Sequence, residues 1–525
     1  ALGGRYPLSL PCGARTFLMM QPLGRTPRLS VPVARLLYPM EGKMSNKLQF
    51  FSGKDIMEAT SYKEALTMNE KVAKYFEKLK GKRIAVLGIG VSNRPLIRML
   101  LARGLTVLAC DKTPREKLDD EVLDLERMGA ALHVGDGYLD GVQADVVFRT
   151  PGMHPDIPAL RQLREDGAVV TSEMEAFFTV CPCKIIAVTG SDGKTTTTTL
   201  ISEILKHAGY TVWLGGNIGT PLLPLAERMQ PSDIAVVELS SFQLMGMTQS
   251  ADIAVVTNLA PNHLDVHKDM AEYIAAKENV FLHQSSSGKL VVNMDNEITN
   301  AFAEKAPGAV EKFSRCAKPQ NGVWLENGII YRNGREIMPA ADIRIPGVHN
   351  IENYMAAACA TEGLASDDDV DYVARNFGGV EHRIELVREL RGVKYYNDSI
   401  ASSPSRTIAG LHSFTQKVIL IAGGYDKHIP FDALGPEICA HVKTLVLCGA
   451  TADKIRTAVV NAPEYEEGKP EILEAEDLRE AVLLAQKAAV SGDIVTLSPA
   501  CAAFDQFKNF AVRGKTFKEI VNSLT

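Results

Sequence analysis

The most tightly spaced chemistry-bearing run in the chain is IIAVTGSDGKTTT, residues 185–197. An apolar stretch runs into Gly190 and Gly193, and Lys194 and Thr195 then open a helical stretch through Leu205. Glycines let backbone N–H groups turn toward a polyphosphate, and the N-terminus of a helix adds a favourable dipole. In this setting Gly190, Ser191, Asp192 and Gly193 would form the cradle and Lys194 would neutralise the β and γ oxygens. Thr195, followed by Thr196, would offer its hydroxyl to Mg2+. The full-length loop needs its first glycine at the position of Val188, so this is the shortened TGxxGKT form. The competing reading is a glycine-rich strand–helix turn with no ligand.

Further candidates end other apolar runs. Glu238 closes the strand in VVELSSFQ, and His263 follows a second strand in TNLAPNHLD. Either alone could cap an element or sit satisfied in a core. At the same edge of one parallel sheet as the phosphate loop, the two look like Mg2+ ligands. Lys277, in YIAAKENVF, reads from its pattern as a solvated charge on a helix. Nearer the N-terminus, GIGVSN at 88–93 follows a strand and Asp111 ends the next one. That is close to a dinucleotide fingerprint, but Asn93 stands where the third glycine belongs. Lys427, in GGYDK, is a cation behind a strand-end glycine pair.

The elements that must position these residues are short apolar, β-rich runs alternating with helical stretches, the pattern of parallel α/β sheets. Strands are predicted at 82–90, 106–111 and 144–152. A second unit begins at 184–189 and continues with the near-copies DIAVVEL (233–239) and DIAVVTN (252–258), predicted to be sheet neighbours. A third holds 417–424, 442–449 and 493–498. This places domain boundaries near 183 and 380: a first domain over 44–183, a central one over 184–379 and a C-terminal one over 380–525.

Composition sets the limits. The 525 residues are 46% hydrophobic and 23% charged, which excludes collagen-like, coiled-coil and disordered classes. No apolar run is long enough for a membrane span. The net charge of −6 does not advertise nucleic acid as a partner. Residues 1–43 carry six basic residues and one acid, which leaves −11 for 44–525. That leader reads as an Arg-rich transit peptide or as a stretch upstream of a start at Met44, the second being favoured, and is set aside from the fold. Nine scattered cysteines, without CxxC spacing, predict reduced thiols in a cytoplasm and no structural zinc.

TGSDGKTTT, GNIG, ELSSFQ, NHLDVH, AAKENVF, GVHNIENYMAA and NDSIASSP occur here in the order found in the Mur ligases, and the chain resembles that family over about residues 80–525. The resemblance implies an α/β protein of three domains. The first is Rossmann-like, the central one a P-loop ATPase with a parallel sheet, and the last again Rossmann-like. It also implies a monomer that uses ATP and Mg2+ to join an amino acid to a nucleotide-linked carboxylate. The closest branch joins D-glutamate to UDP-N-acetylmuramoyl-L-alanine through an acyl phosphate. Another branch, or a folylpolyglutamate synthetase, is the near alternative, although the Asp-Asn-Pro-Arg motif of the diamino-acid-adding branch is absent. An NAD-binding protein and an inactive binding module are the more distant ones.

The resemblance also implies roles by motif. Lys194, Thr195, Glu238 and His263 fall on the ATP and metal site, and Lys277 matches a lysine that CO2 converts to a carbamate. Asn350 and Asn353 match ATP-side asparagines, and Arg383 and Asp398 match nucleotide contacts from the third domain. Asp111 and Lys112 would lie near the uracil or ribose of the substrate, with Asn217 and Ser240 also on the substrate side. Ser402 and Lys427 would hold the glutamate carboxylates, and Phe510 would meet glutamate through its backbone. Departures are Asn262 and Ala503, where some members have Asp and Ser, Ser402 for Thr, and Ile400 where Lys is common.

Overall fold

The computed structural model describes residues 70–261 and 266–525, and it contains three sheets. The leader and His263, with Asn262 and Asp265, lie outside the described residues. The first sheet is built from β1 (Ile84–Leu87), β2 (Val107–Asp111), β3 (Ala131–Val134), β4 (Val146–Arg149) and β5 (Val169–Thr171). It is parallel throughout, in the order β3-β2-β1-β4-β5. That order makes the sheet doubly wound, with its topological switch between β1 and β4.

The second sheet contains β6 (Lys184–Thr189), β7 (Val212–Gly216), β8 (Ile234–Glu238), β9 (Ile253–Val256), β10 (Lys289–Asn293), β11 (Ala309–Ser314), β12 (Gly322–Glu326), β13 (Ile329–Arg332) and β14 (Arg335–Pro339). Its order is β14-β13-β12-β11-β10-β9-β6-β8-β7. The strands are parallel except for the antiparallel meander of the last three. The apolar runs have a simple cause, since a parallel strand covered on both faces is hydrophobic on both. Ile186 and Val188 pack with Leu200, Ile201 and Ile204 of the helix Lys194–His207, while Ile185 and Ala187 enter the opposite core.

One expectation is corrected here. The near-copies β8 and β9 share a sheet but are not neighbours, because β6 lies between them. The strand that carries the phosphate loop takes the centre, so the carboxyl ends of β8 and β9 flank that loop on its two sides.

The third sheet comprises β15 (Glu385–Leu390), β16 (Val393–Asn397), β17 (Val418–Ala422), β18 (Val442–Leu447), β19 (Glu471–Glu474) and β20 (Ile494–Leu497). Its order is β15-β16-β20-β17-β18-β19, antiparallel only between β15 and β16. The loops after β16, β20 and β17 therefore leave the same edge side by side. Among the described residues no helix is long and apolar enough to cross a membrane.

Candidate active site

The phosphate loop is tied down before any ligand is considered. Ser191 N donates to Asn258 O at 2.8 Å, and Asp192 N donates to Asn258 Oδ1 at 2.9 Å. Thr257 Oγ1 donates to Asp192 O at 2.6 Å, and Ser191 Oγ is 3.0 Å from the Tyr273 hydroxyl. The segment after β9 thus forms one wall of the loop. Gly190 and Gly193 have positive φ of 148° and 77°. A Cβ at Gly190 would collide with Thr257 Oγ1, and one at Gly193 with Asn353 Oδ1. Only glycine lets the backbone come this close.

Two lysines meet on one oxygen. Lys194 Nζ donates to Gly190 O at 3.0 Å and to Ser191 O at 2.8 Å, folding over its own loop. Lys277, on the helix Met270–Glu278, donates to Gly190 O at 2.9 Å and to Thr189 Oγ1 at 3.1 Å. Its side chain is 1% exposed and lies over the Tyr273 ring. The reading of Lys277 as a solvated helical charge is therefore wrong, because the helix turns it inward against the loop. Burial first, and the neighbouring Lys194 second, push its pKa well below the usual lysine range. Lys194 is also lowered, by burial and by Arg383, while Glu238 and Asp192 oppose the shift.

Glu238 ends β8, 1% exposed. Its Oε1 accepts from Asn217 Nδ2 at 2.7 Å, whereas Oε2 has no hydrogen-bond partner among the described residues. A buried carboxylate oxygen left without a donor is costly unless something cationic meets it. Thr195 and Thr196 lie in the first turn of the following helix, half-buried. Asn353 accepts from Thr197 Oγ1 at 3.2 Å and donates to Asn350 at 3.0 Å, so that pair stands beside the same helix. Ser240 caps the short helix Ser241–Leu244 through a reciprocal bond with Gln243.

Arg383 reaches this site from the segment before the third sheet. It is held in the field of Glu238, Asp398 and Asp192, with Arg406 opposing, and burial lowers its pKa. Its Nε has no hydrogen-bond partner among the described residues. The backbone on both sides is left-handed, with φ of 64° at His382 and 44° at Ile384. A β-branched residue there is strained by roughly 1–3 kcal/mol. Ile384 N donates to Asp398 Oδ1 at 3.3 Å, which helps hold it. Asp398 accepts from Ser498 Oγ at 2.8 Å, and burial raises its pKa to about 7.

The other candidates fall into two separate groups. Asp111 ends β2 and accepts from the N–H groups of Ile89 (2.7 Å) and Thr113 (2.9 Å). Burial is the largest influence on it and raises its pKa, but those bonds with Lys112 leave a net lowering. Asn93 is buried and donates to Gly88 O at 2.8 Å, so the third-glycine position holds a loop-closing amide. Lys112 is exposed next to Asp111. At the third sheet, Lys427 Nζ lies 3.4 Å from Ser402 O, Ile400 lies in the same loop as Ser402, and Ala503 is buried after β20. Phe510 is partly exposed, and its carbonyl accepts from Ser399 Oγ at 2.8 Å.

Sequence reasoning missed two organising arginines. Buried Arg513 donates to Ser399 O (2.9 Å), Cys501 O (3.0 Å) and Ala502 O (3.1 Å), tying together the loops after β16 and β20. Arg149, ending β4, donates to Met153 O at 3.0 Å and to Met245 O at 2.5 Å, joining the first sheet to the segment after β8. Neither lies in a motif. Asn258 had a visible signal, since it closes the predicted strand run DIAVVTN at 252–258.

The arrangement fits a nucleoside triphosphate with a divalent metal. The glycines leave no room for a side chain, the Lys194 ammonium folds over the loop, and the orphaned Glu238 oxygen faces no donor. Thr195 and Glu238 could hold the metal, with Lys277 joining them as a carbamate.

Comparison with known proteins is consistent along the chain. The Mur ligase middle domain matches residues 188–361, and the Mur ligase glutamate ligase domain matches 382–501. A UDP-N-acetylmuramoylalanine–D-glutamate ligase of Acetivibrio thermocellus is 53% identical over 465 residues, covering 87% of this chain and 100% of that protein. One from Clostridium botulinum is 51% identical over 458 residues, with the same coverage. In fold, the chain is similar to the UDP-N-acetylmuramate-alanine ligase of Thermotoga maritima. That likeness has a TM-score of 0.52 at 18% identity, covering 84% of this chain and 99% of that one. A UDP-N-acetylmuramoyl-L-alanyl-D-glutamate–2,6-diaminopimelate ligase gives a TM-score of 0.51 at 16% identity, covering 80% and 93%.

Proposed function

The chain belongs to the Mur ligase family, whose members are ATP-dependent ligases, and from that premise we propose that it joins D-glutamate to UDP-N-acetylmuramoyl-L-alanine in peptidoglycan precursor synthesis. The observation that carries the reading is the convergence of Lys194, Lys277, Glu238 and Arg383 on one loop. The full-length match to relatives of that name supports the choice of amino acid.

A carboxylate is a poor acceptor for an amine, and an acyl phosphate has a good leaving group. When bound, ATP with Mg2+ supplies the phosphoryl group and the screening that bring two anions together. The backbone amides of the Gly190–Gly193 loop that Asn258 does not engage, with the ammonium of Lys194, hold the transferring phosphates. Thr195 and Glu238 hold the metal, together with Lys277 as a carbamate and His263. Asn350, Asn353, Arg383 and Asp398 position the nucleotide. Asp111 and Lys112 receive the uridine end at the β1/β4 switch point, and Asn217 and Ser240 line the path between. Ser402, Lys427 and the Phe510 backbone orient glutamate so that its amine faces the activated carbonyl. Because Ala503 has no hydroxyl, one side-chain bond to the γ-carboxylate is absent here.

The domains in this reading are 44–183, 184–379 and 380–525, acting as a cytoplasmic monomer. The test is phosphate release from ATP with UDP-N-acetylmuramoyl-L-alanine and a panel of amino acids. Release that requires both the nucleotide and D-glutamate is expected. Release indifferent to D-glutamate, or greater with a diamino acid, overturns the assignment.

A further inference from the structure

Two helices of the third domain, Pro404–Leu411 and Leu434–His441, pack side by side. Leu411, Leu434 and Ile438 anchor them in one buried core. Three side chains come together at their outer surface. His412 directly follows the first helix, and Glu437 and His441 are one turn apart on the second. His412 Nε2 lies 2.7 Å from Glu437 Oε2, and His441 Nε2 lies 3.5 Å from the same oxygen. One potential ligand atom from each residue lies within 4.8 Å of the others.

We propose that His412, Glu437 and His441 form a binding site for a divalent transition metal, matched best to Zn2+, apart from the nucleotide site. Two imidazole nitrogens and one carboxylate oxygen are zinc's preferred donors, and three protein ligands leave a fourth position for water. Donors at about 2.0–2.2 Å in a tetrahedron stand roughly 3.3–3.5 Å from one another. The present 2.7 Å and 3.5 Å separations bracket that spacing, and the ligand atoms of the two histidines lie within 4.8 Å of each other. The backbone is already arranged, because Glu437 and His441 project from one face of a helix and His412 is fixed by its buried neighbour Leu411. A plain ion pair uses one imidazole per carboxylate. Here the second imidazole converges on the same oxygen, with the ring centroids 5.0 Å apart and tilted by 57° rather than stacked.

The donor set also separates this site from the catalytic metal. Mg2+ is a hard ion that prefers an all-oxygen octahedron, so it competes poorly for two imidazoles. A bound zinc ion would cross-link the two helices. The first of them begins at Pro404, two residues after Ser402, so the metal would pin the far end of an element adjoining the proposed glutamate pocket.

The experiment titrates ZnSO4 into the full chain with Mg2+ held in excess, by calorimetry and by thermal unfolding, for the wild type and for His412→Asn, His441→Asn and Glu437→Gln. The wild type is expected to bind one Zn2+ per chain more than any variant, and its Tm is expected to rise with zinc while theirs does not. Each variant removes a ligand outright and should lose at least the roughly 10–100-fold in affinity that loss of a mere supporting partner costs. Co2+ used alone should give a visible absorption spectrum in the wild type that the variants lack. Phosphate release without zinc should stay at the wild-type rate in all three, which shows that they fold. Equal stoichiometry and equal Tm shifts in wild type and folded variants overturn the proposal.

Discussion

Replacing Lys277 with Met separates a chemical role for this residue from a structural one. Lys277 Nζ and Lys194 Nζ donate to Gly190 O at 2.9 Å and 3.0 Å, so the two nitrogens are at most about 6 Å apart. Were both charged, they would repel by roughly 3 kcal/mol at an effective dielectric near 20. Burial and that repulsion hold Lys277 toward its neutral form, so Met costs chiefly two hydrogen bonds, each worth about 1 kcal/mol net. Thr189 Oγ1 keeps its bond to Leu239 O, and Gly190 O keeps the one from Lys194, so neither group is orphaned. The ligand-free variant should therefore unfold in urea within about 2 kcal/mol of the wild type. Turnover should nonetheless fall by roughly 100-fold or more, about 2.7 kcal/mol in the barrier, since Met cannot become an anionic ligand. The assay pairs substrate-dependent phosphate release, in bicarbonate buffer, with urea unfolding. Turnover within roughly threefold of wild type refutes the reasoning. So does a stability loss above about 3 kcal/mol alongside the lost activity, because that would make Lys277 a structural residue.

Three other outcomes follow from the same geometry. Gly193→Ala drives a Cβ into Asn353 Oδ1 at a positive φ, so kcat/KM for ATP should fall at least roughly tenfold with about 1–2 kcal/mol of stability, measured by steady-state kinetics and urea unfolding. Lys427→Ala alters an exposed side chain and should raise KM for D-glutamate by roughly tenfold while stability stays within about 0.5 kcal/mol; an unchanged KM would remove Lys427 from the glutamate pocket. Glu173 accepts from Leu223 N at 2.9 Å, and burial raises its pKa from 4.5 to about 7. Its folded form therefore favours the protonated acid, a stabilisation present below pH 4.5 and lost as pH rises to about 7, up to about 3 kcal/mol. Glu173→Gln keeps an acceptor and should be more stable than wild type at pH 8 but not at pH 4.5, so parallel urea-stability curves across that range would exclude the effect.

The parts of the fold legible from sequence were those whose environment is local. Buried parallel strands announce themselves as apolar runs, and 184–189 is reproduced as β6 residue for residue. The edge strands β3 and β5 passed unread because they are short and partly exposed, so they lack such a run. Strand order was the harder matter. DIAVVEL and DIAVVTN look like neighbours because they are alike, yet likeness encodes only burial, and the order of the sheet is set by crossovers dozens of residues long.

The same division runs through the site. The glycine-rich turn from β6 into the helix Lys194–His207 was readable because its glycines, lysine and threonine lie within a few residues of one another. The burial of Lys277 was not, because the oxygens that receive it belong to Thr189 and Gly190, far away in the chain. Arg513 and Arg149 have no local signature at all, since what each does is join backbone carbonyls that only the folded chain brings together. Charge shows why such distant placement is needed. A chain of net −6, and −11 over residues 44–525, repels anionic substrates on average. It can accept them only where cations are concentrated against that average. Lys194 and Arg383 come from two distant parts of the chain to one loop, and desolvation strengthens the field of each charged group there. Glu238 and Asp192 offset part of that field, so removing either acid should alter the pKa values of the lysines as well as any bound metal.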